Sequence, residues 1–457
     1  MRSELYTLSA TEAIKDIREG NISATDLVVA CIERIQTVEP FIRAWAHLDE
    51  ALGIKQAKRI DQEIAEGRFR GSLYGVPVGI KDIYNTRDMP TGMGSMIWNG
   101  FTPGNDARCV HYLREEGGVI LGKTVTAEFA VHFPGPTVNP HNYEHTPGAS
   151  SSGSAAAVAS CMVPLALGSQ TGGSTIRPAS YCGVFGFKPT FGMIPRTGVL
   201  KTVNLLDHVT VFARTLEDTQ LAFECTRVKG HNFPLIDSIL DNPWLQKNRP
   251  PWRIAFVRTH LWNQWTPYAR RAMEAFVQRL SECKGVLVSD AALPSEFEEA
   301  HEIHRVIYEK ALSYYYATEY TNHRALLSDI FREMIERGRK ISKADYVEAI
   351  GKQVYLSDKL EQFFNTYDGI VTLSTAGEAG KGLDARDTVD SCLIWTLCGA
   401  PAINVPLFKG PKKLPFGAQV IFRKYRDHSL FSFLLELKKQ GLIQYPLGNQ
   451  RSRHLSD

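Results

Sequence analysis

The first 70 residues place apolar and polar positions at the spacing of α-helices. Ser9 and Glu12 form a capping pair before an apolar run, which predicts that a helix begins there. A second helix is predicted after Ser23, because apolar side chains then recur every three or four residues. We expect Pro40 to end this helix, since proline has no backbone N–H to donate. A third helix, charged on one side, is predicted at about residues 49–66.

Short apolar runs then alternate with helical segments. Residues 76–80 are almost continuously apolar and stop at Lys81, which is typical of a parallel strand buried on both faces. A helix at about 108–116 separates this run from a second short strand at 119–121. The alternation predicts the α/β class with a mostly parallel sheet. Further strands are predicted at 254–257, 286–288, 370–373, 403–407 and 418–422, and further helices at 297–319 and 343–366.

Composition narrows the class of protein. The 457 residues are 44% hydrophobic and 22% charged, an ordinary globular mixture. Lys plus Arg is 52 and Asp plus Glu is 49, and the resulting net charge of +3 gives no support to a nucleic-acid or membrane role. The eight cysteines form no C-x-x-C, which disfavours a zinc ribbon, and the N-terminus has no apolar leader. We therefore expect a cytoplasmic protein with reduced thiols.

Residues 146–190 differ from the rest of the chain. Two clusters of glycine and hydroxyl residues, 148–154 and 171–175, flank a helix of small residues. The apolar segments beside both clusters disfavour a flexible linker and indicate turns pressed against the interior. A phosphate-binding loop is disfavoured because the segment has no lysine before Lys188, and neither cluster fits the G-x-S-x-G elbow of α/β-hydrolases.

The second cluster suits a site where negative charge develops. Gly172 and Gly173 permit backbone angles that can aim several N–H groups at one point, as an oxyanion hole requires. Ser174, at the end of this turn, is a natural nucleophile, but a serine hydroxyl needs a base. Lys81 follows a buried strand, where α/β proteins place functional groups. A lysine there is more often a surface side chain when taken alone, but beside these turns it becomes a candidate base.

This combination resembles the amidase signature family. The family pairs a glycine- and serine-rich stretch with a downstream turn ending in G-G-S, and the counterparts here are residues 148–155 and 170–174. The segment G-V-P-V-G-I-K-D at 75–82 is similar to the lysine strand of the family. The resemblance covers nearly the whole chain and is weakest over about 225–390. Further similar blocks, in chain order, lie at 120–130, 139–140, 182–190, 205–218, 399–406 and 414–421.

The resemblance implies an amide hydrolase with a Ser–cisSer–Lys triad. In this sequence Ser174 is the implied nucleophile, Ser150 the middle serine that follows a cis peptide bond, and Lys81 the base. The implied oxyanion hole consists of the backbone N–H groups of Thr171, Gly172, Gly173 and Ser174. No metal or organic cofactor is implied. Ala149 and Gln170 depart from the family pattern, where Gly and Asp are common, but neither departure removes a catalytic group.

The resemblance also implies a single-domain α/β/α sandwich with a large central mixed, mostly parallel β-sheet. The domain is expected to span residues 1–457. It divides into N-terminal helices (1–70), a core with the catalytic residues (71–220), a variable helical region that builds the substrate pocket (225–390) and a return to the sheet (391–457).

His301 and His304 are candidates for a metal site. His301 and His304 have the wrong spacing for the zinc motif H-E-x-x-H. Glu298 and His301 form a single E-x-x-H, whereas a di-iron site needs two. We interpret these residues as part of an exposed helix face.

The function implied is hydrolysis of a small aryl or alkyl amide through a serine acyl-enzyme. Aromatic and methionine side chains at 93–98 and 126–134, with parts of 300–400, are the expected pocket walls. Carbamates (urethanes), esters and urea-like compounds such as biuret stay open as substrates. The main alternative is the glutaminase-type subunit of a tRNA-dependent amidotransferase, which shares these motifs. We expect a small-molecule amide as substrate, no nucleic acid and no membrane as partners, and an assembly that is a homodimer or includes a small accessory subunit.

Overall fold

A computed structural model describes residues 2–69, 71–229, 249–383 and 390–445. The predicted segments 225–390 and 391–457 extend partly beyond these ranges, and there the predictions lie outside the described residues. Within the described chain, no helix combines the length and the apolar character needed to cross a bilayer.

A single eleven-stranded sheet gathers strands from most of the sequence. Its strands, β1 to β11 in chain order, are Trp45–Leu48, Pro77–Lys81, Val119–Thr124, Leu165–Gln170, Phe185–Lys188, His208–Ala213, Trp252–Val257, Val286–Ala291, Gly369–Leu373, Ala402–Lys409 and Pro415–Phe422. Their order in space is β1-β3-β2-β4-β6-β5-β10-β11-β9-β7-β8. The predicted α/β class with a large mixed sheet is confirmed. Only four of the ten neighbouring pairs in the described sheet are parallel. The edge strand β1 runs against β3, β6 runs against β4 and β5, and each successive pair in β5-β10-β11-β9 is antiparallel.

Helices pack against this sheet. The described α-helices, α1 to α14 in chain order, are Ala10–Arg18, Ala24–Ile42, Glu50–Ala65, Arg108–Glu115, Ser152–Ala159, Ile176–Cys182, Leu216–Thr226, Pro267–Ser281, Ala300–Tyr315, Ala317–Asn322, Asp329–Lys340, Lys343–Phe363, Cys392–Leu397 and Asp427–Lys439. Short 3₁₀ helices lie at Arg2–Thr7, Met96–Trp98, Glu128–Ala130, Trp262–Gln264, Ser295–Glu299 and Arg324–Leu326. Every residue of β2, β3, β4, β6, β9 and β11 is buried, so these strands are covered on both faces.

The caps predicted for the first two helices are present. Ser9 with Glu12, and Ser23 with Asp26, each form a reciprocal capping box. The expectation that Pro40 ends α2 is wrong by two residues, since the helix continues to Ile42. A proline in the last turn removes one backbone hydrogen bond without preventing the final residues from staying helical.

Several elements were missed in the sequence. Strands β1, β4, β5 and β6 and helices α6, α7, α8, α11, α13 and α14 are not among the elements predicted from the sequence. The short strands β1 and β5 have only four residues each, too few for a clear periodicity. Strands β7 and β8 extend one edge of the sheet beside β9, so the variable region contributes strands as well as helices.

We predict that Asp218→Ala lowers the free energy of unfolding by about 1–3 kcal/mol, because it leaves buried donors without an acceptor. The fully buried Asp218 carboxylate on α7 accepts from the N–H groups of Ala10 and Thr11 at 2.8 and 2.9 Å, and so holds the start of α1. Urea denaturation followed by circular dichroism measures the change. Asp290→Ala is the matched control, because Asp290 is 71% exposed in its ion pair with Arg258 and is expected to contribute less than about 1 kcal/mol. Equal effects of the two substitutions would contradict the anchoring role.

Candidate active site

The Lys81 side chain lies at the centre of a cluster of serine hydroxyls. Lys81 is the last residue of β2, between β3 and β4, and its side chain is fully buried. Its Nζ atom lies 2.7 Å from Ser150 Oγ, 3.0 Å from Ser151 Oγ and 2.8 Å from Ser169 Oγ. The structure therefore brings together two of the three predicted catalytic side chains and adds two hydroxyls that the sequence analysis had not assigned to the site.

Burial controls the ionisation of this cluster. It holds the pKa of Lys81 well below the usual lysine value, and the negative charge of Asp207 opposes this shift only in part. Burial also raises the pKa of Asp207 to about 6, although hydrogen bonds from Thr171, Thr202 and Val203 act in the opposite direction. Burial thus favours the neutral amine of Lys81, which is the form that can accept a proton.

The turn before α5 presents Ser150 to Lys81. The Ala149–Ser150 peptide bond is cis, at the position that the resemblance implies. Gly148 has a φ of +85°, and a Cβ atom there would come within 3.0 Å of the backbone of α6, so this position requires glycine. The N–H of Ser151 donates to the carbonyl of Ser174 at 3.3 Å, which holds the two predicted serine turns against each other.

The turn between β4 and α6 carries the predicted oxyanion groups. Among the described residues, the N–H groups of Gly172, Gly173 and Ser174 have no hydrogen-bond acceptor. The carbonyl of Gly173 accepts from the N–H of Arg177 at 3.0 Å as α6 begins. A side chain at Gly173 would come within 2.6 Å of the Arg177 guanidinium, which itself donates to Asp390 at 2.7 Å. This turn thus offers free N–H donors beside a serine.

Gln170 braces the turn from behind. Its Oε1 atom accepts from the N–H groups of Thr175 and Ile176 at 2.8 and 3.0 Å, which caps the start of α6. Its Nε2 atom donates to Thr396 Oγ1 at 3.0 Å. The family departure at this position therefore introduces a donor that an ionised aspartate does not have.

A cavity of about 280 Å³ opens beside Ser174. Glu309 is buried in its wall and accepts from Arg305 Nη1 and Arg337 Nε, each at 2.8 Å. The cavity thus has a charged side as well as an apolar side. Its lining residues are Val131, His132, Gly172, Gly173, Ser174, Arg177, His304, Arg305, Tyr308, Glu309, Ile330, Met334, Arg337 and Leu393.

The predicted pocket walls are partly wrong. No residue of 93–98 lines this cavity, and the segment 126–134 contributes only Val131 and His132. Helices α9 and α11 supply most of the remaining lining. The sequence pattern predicts a helix over 297–319 but none at α11, and it does not show that either helix faces the predicted nucleophile.

The interpretation of the histidine pair as an exposed helix face is wrong for His304. The His304 ring is half-buried, and its Nε2 atom lies 2.8 Å from the carbonyl of Thr171 in the turn between β4 and α6. His301 Nε2 lies 3.2 Å from the carbonyl of Asp390. The i, i+3 spacing places both rings on one face of α9, but the spacing alone does not identify what that face contacts.

Comparisons with known proteins show what this chain is similar to. The family model described as Amidase matches residues 26–431. The chain is 42% identical to a subunit of glutamyl-tRNA(Gln) amidotransferase from Carboxydothermus hydrogenoformans, over 50% of this chain and 48% of that protein, so this match spans about half the length of each. The match to the same subunit from Heliobacterium modesticaldum is 30% identical and covers 93% of this chain and 95% of that protein.

Solved structures share the fold at lower identity. A crystal structure of an amidase is 24% identical with a TM-score of 0.86, covering 95% of this chain and all of that chain. The peptide amidase of Stenotrophomonas maltophilia is 24% identical with a TM-score of 0.81, covering 96% of this chain and 98% of that one. 6-Aminohexanoate cyclic dimer hydrolase is 21% identical with a TM-score of 0.81, over 97% of this chain and all of that chain.

The expectation of a small-molecule partner alone, with no nucleic acid, is contradicted by these relatives. They are named as subunits of an amidotransferase for glutamyl-tRNA(Gln). The expectation depended on a net charge of +3. Net charge is a poor guide to whether a protein works with a nucleic acid. In an assembly of several subunits, the basic surface that contacts a nucleic acid can belong to a single subunit.

We predict that Lys81→Met makes the protein relatively more stable as the pH falls from 10 to 7. The pKa of Lys81 is lower in the folded than in the unfolded chain, so the unfolded wild-type chain binds more protons at Lys81 as the pH falls. Wild-type stability therefore decreases as the pH falls, and the variant lacks this contribution. The difference in melting temperature between variant and wild type should therefore widen toward pH 7.

Lys58→Met, on the exposed side of α3, is the control for this measurement and should show a constant difference. A constant difference for Lys81→Met as well would mean that Lys81 stays protonated in the folded protein.

Proposed function

Because the chain belongs to the amidase family, we propose that it hydrolyses an amide C–N bond with Ser174 as nucleophile, Ser150 as the bridging serine and Lys81 as the base. The observation that carries this proposal is the contact of 2.7 Å between the buried Lys81 amine and Ser150 Oγ. A lysine whose pKa burial lowers, at hydrogen-bond distance from a hydroxyl, is positioned for general-base catalysis.

The hydrogen atoms around Lys81 can be assigned from the contacts. Ser151 Oγ directs its hydrogen to the carbonyl of Ser169 at 3.1 Å, so it can only accept from Lys81. A neutral amine has two hydrogens and one lone pair. If the amine donates to Ser151 and to Ser169 Oγ, its lone pair is left for the hydroxyl hydrogen of Ser150. This arrangement supports transfer of a proton from Ser150 to Lys81.

The reaction then proceeds through an acyl-enzyme. Ser150 takes the hydroxyl proton of Ser174 as Ser174 Oγ attacks the amide carbon, and Lys81 takes the proton of Ser150. The N–H groups of Thr171, Gly172, Gly173 and Ser174 are the proposed donors to the oxygen that becomes negative. The amine leaves with the returned proton, and water hydrolyses the ester bond to Ser174 through the same relay.

We further propose that the amide is the side-chain amide of glutamine and that the chain works as the glutaminase-type subunit of a tRNA-dependent amidotransferase. The match over 93% of this chain to a subunit of glutamyl-tRNA(Gln) amidotransferase supports this choice. The cavity supports it as well, since Arg177, Arg305, Arg337 and Glu309 offer both signs of charge to an amino acid.

A second candidate is hydrolysis of a small aryl or alkyl amide, or of a carbamate, by this chain working alone. The apolar part of the same cavity favours it, because Val131, Tyr308, Met334 and Leu393 lie beside Ser174.

We predict that Ser174→Ala lowers kcat by about 10³-fold or more, because it removes the nucleophile. Lys81→Ala should lower kcat by about 10²–10⁴-fold, because it removes the base. Steady-state kinetics on the best amide found for the wild type measure both losses. Ser152→Ala is the control, since this neighbouring buried hydroxyl has no hydrogen-bond partner among the described residues. Near-wild-type activity of Lys81→Ala at neutral pH would contradict the relay.

We predict that the wild-type chain releases ammonia from glutamine and that subunits co-purifying with it from its own cells increase this rate. The reason is that the amidotransferase function requires glutamine hydrolysis coupled to an assembly. A coupled ammonia assay, run beside an anilide, a primary amide, a carbamate and a biuret-type compound, measures the preference. Turnover of an anilide or carbamate that requires Ser174, with no glutamine turnover with or without those subunits, would favour the second candidate.

A further inference from the structure

The carbonyls of Thr171, Gly172 and Gly173, in the turn after β4, each accept a hydrogen bond. His304 Nε2, from α9, donates to the carbonyl of Thr171 at 2.8 Å. Thr396 Oγ1, from α13, donates to the carbonyl of Gly172 at 2.7 Å. The carbonyl of Gly173 accepts from a backbone N–H in the first turn of α6 at 3.0 Å. Two of the three anchors are thus side chains from the C-terminal half of the chain.

Holding a carbonyl also sets the direction of the N–H in the same peptide unit. The peptide bonds of this turn are trans, since the described cis bonds lie elsewhere, and in a trans unit the C=O and N–H point to opposite sides. The carbonyl of Thr171 therefore sets the N–H of Gly172, and the carbonyl of Gly172 sets the N–H of Gly173. Glycine has little intrinsic preference between backbone conformations, so without an anchor these units are free to rotate.

We propose that His304 and Thr396 are positioning residues that fix the direction of the Gly172 and Gly173 N–H groups. The inference rests on the proposed function, in which these N–H groups stabilise the oxyanion. His304 and Thr396 do not themselves touch the reacting atoms in this account. They act through the turn, and they explain how glycines can form a preorganised site.

Gln170 directs the Thr396 hydroxyl. Its Nε2 atom donates to Thr396 Oγ1 at 3.0 Å, so the Thr396 oxygen acts as acceptor there and keeps its own hydrogen for another contact. The carbonyl of Gly172 at 2.7 Å is nearer than that of Cys392 at 3.1 Å. The glutamine that departs from the family pattern thus completes a chain of hydrogen bonds from β4 through α13 to the turn.

The surroundings of His304 fix its ring as a donor. The ring stacks on Tyr308, with centroids 5.3 Å apart and planes inclined by 26°. Burial lowers the pKa of His304, so the ring is neutral at neutral pH and carries its hydrogen on Nε2 toward Thr171. A neutral donor holds the carbonyl without adding positive charge to a cavity that already contains three arginines. Helix α9 therefore lines the substrate cavity and also orients the turn.

Phosphonylation by a fluorophosphonate tests the proposal without knowledge of the natural substrate. In this reaction the Ser174 Oγ–P bond forms, the P–F bond breaks, fluoride leaves and the hydroxyl proton passes to the base. The phosphoryl oxygen gains negative charge, so the maximal rate of inactivation depends on the oxyanion donors. The fluorophosphonate concentration that gives half of this rate reports how tightly the reagent binds before it reacts.

Thr396→Val and His304→Ala are each expected to lower the maximal inactivation rate by about 10-fold or more, less than the about 10²–10³-fold for loss of a donor itself. The half-saturating concentration should stay within about twofold, because the donors act mainly in the transition state. Thr396→Ser should restore the rate to within about threefold of wild type, since it keeps the hydroxyl. His304→Ala keeps the test available if Thr396→Val does not fold.

Thr226→Val is the matched control, because this buried hydroxyl donates to the carbonyl of Ala222 at 2.7 Å within α7. It should leave the inactivation rate unchanged. A wild-type rate in both Thr396→Val and His304→Ala, or an equal loss in Thr396→Ser and Thr396→Val, would overturn the proposal. Labelling that persists in Ser174→Ala would instead contradict the proposed function, so the two failures are distinguishable.

Discussion

The burial of one lysine amine among serine hydroxyls is the constraint on which the rest of the site depends. Lys81 ends a strand that is buried along its whole length, so its side chain cannot reach water, and Ser150, Ser151 and Ser169 surround its Nζ atom. A charged ammonium in this place loses its hydration, and the negative charge of Asp207 offsets only part of that loss. The neutral form is therefore favoured, and the neutral form is the one that can act as a base.

The second requirement is a set of N–H donors with fixed directions. The turn after β4 contains two glycines, which allow the backbone to approach a substrate but supply no rigidity of their own. Rigidity comes from α6, α9 and α13, whose donors hold the three consecutive carbonyls of the turn. The proposed base and the proposed donors thus depend on different halves of the chain. The N-terminal half supplies Lys81 and both serine turns, and the C-terminal half supplies His304 and Thr396, which contact the turn.

The predictable parts of this structure are those encoded by local pattern or by motif. The capping boxes of α1 and α2 were visible because a cap needs only residues three apart. The motifs predicted Lys81, Ser150 and Ser174 as site residues, and the structure places Lys81 Nζ 2.7 Å from Ser150 Oγ and the turn of Ser174 against that of Ser150. His304 and Thr396 were not found, since their partners are 133 and 224 residues away in sequence and no local signal marks such a contact. The sequence analysis predicted a mostly parallel sheet, whereas most neighbouring strand pairs are antiparallel. Strand order is set by tertiary pairing, which the alternation of strands and helices along the chain does not show.

The pH dependence of Ser174 labelling by a fluorophosphonate tests the central claim most directly. If a buried, neutral Lys81 is the base, the labelling rate rises with an apparent pKa far below the ordinary lysine value of about 10.4 and stays constant above it. The same rise should be absent in Lys81→Ala. A rate that keeps rising to the ordinary lysine value, or an identical profile in Lys81→Ala, would contradict the account.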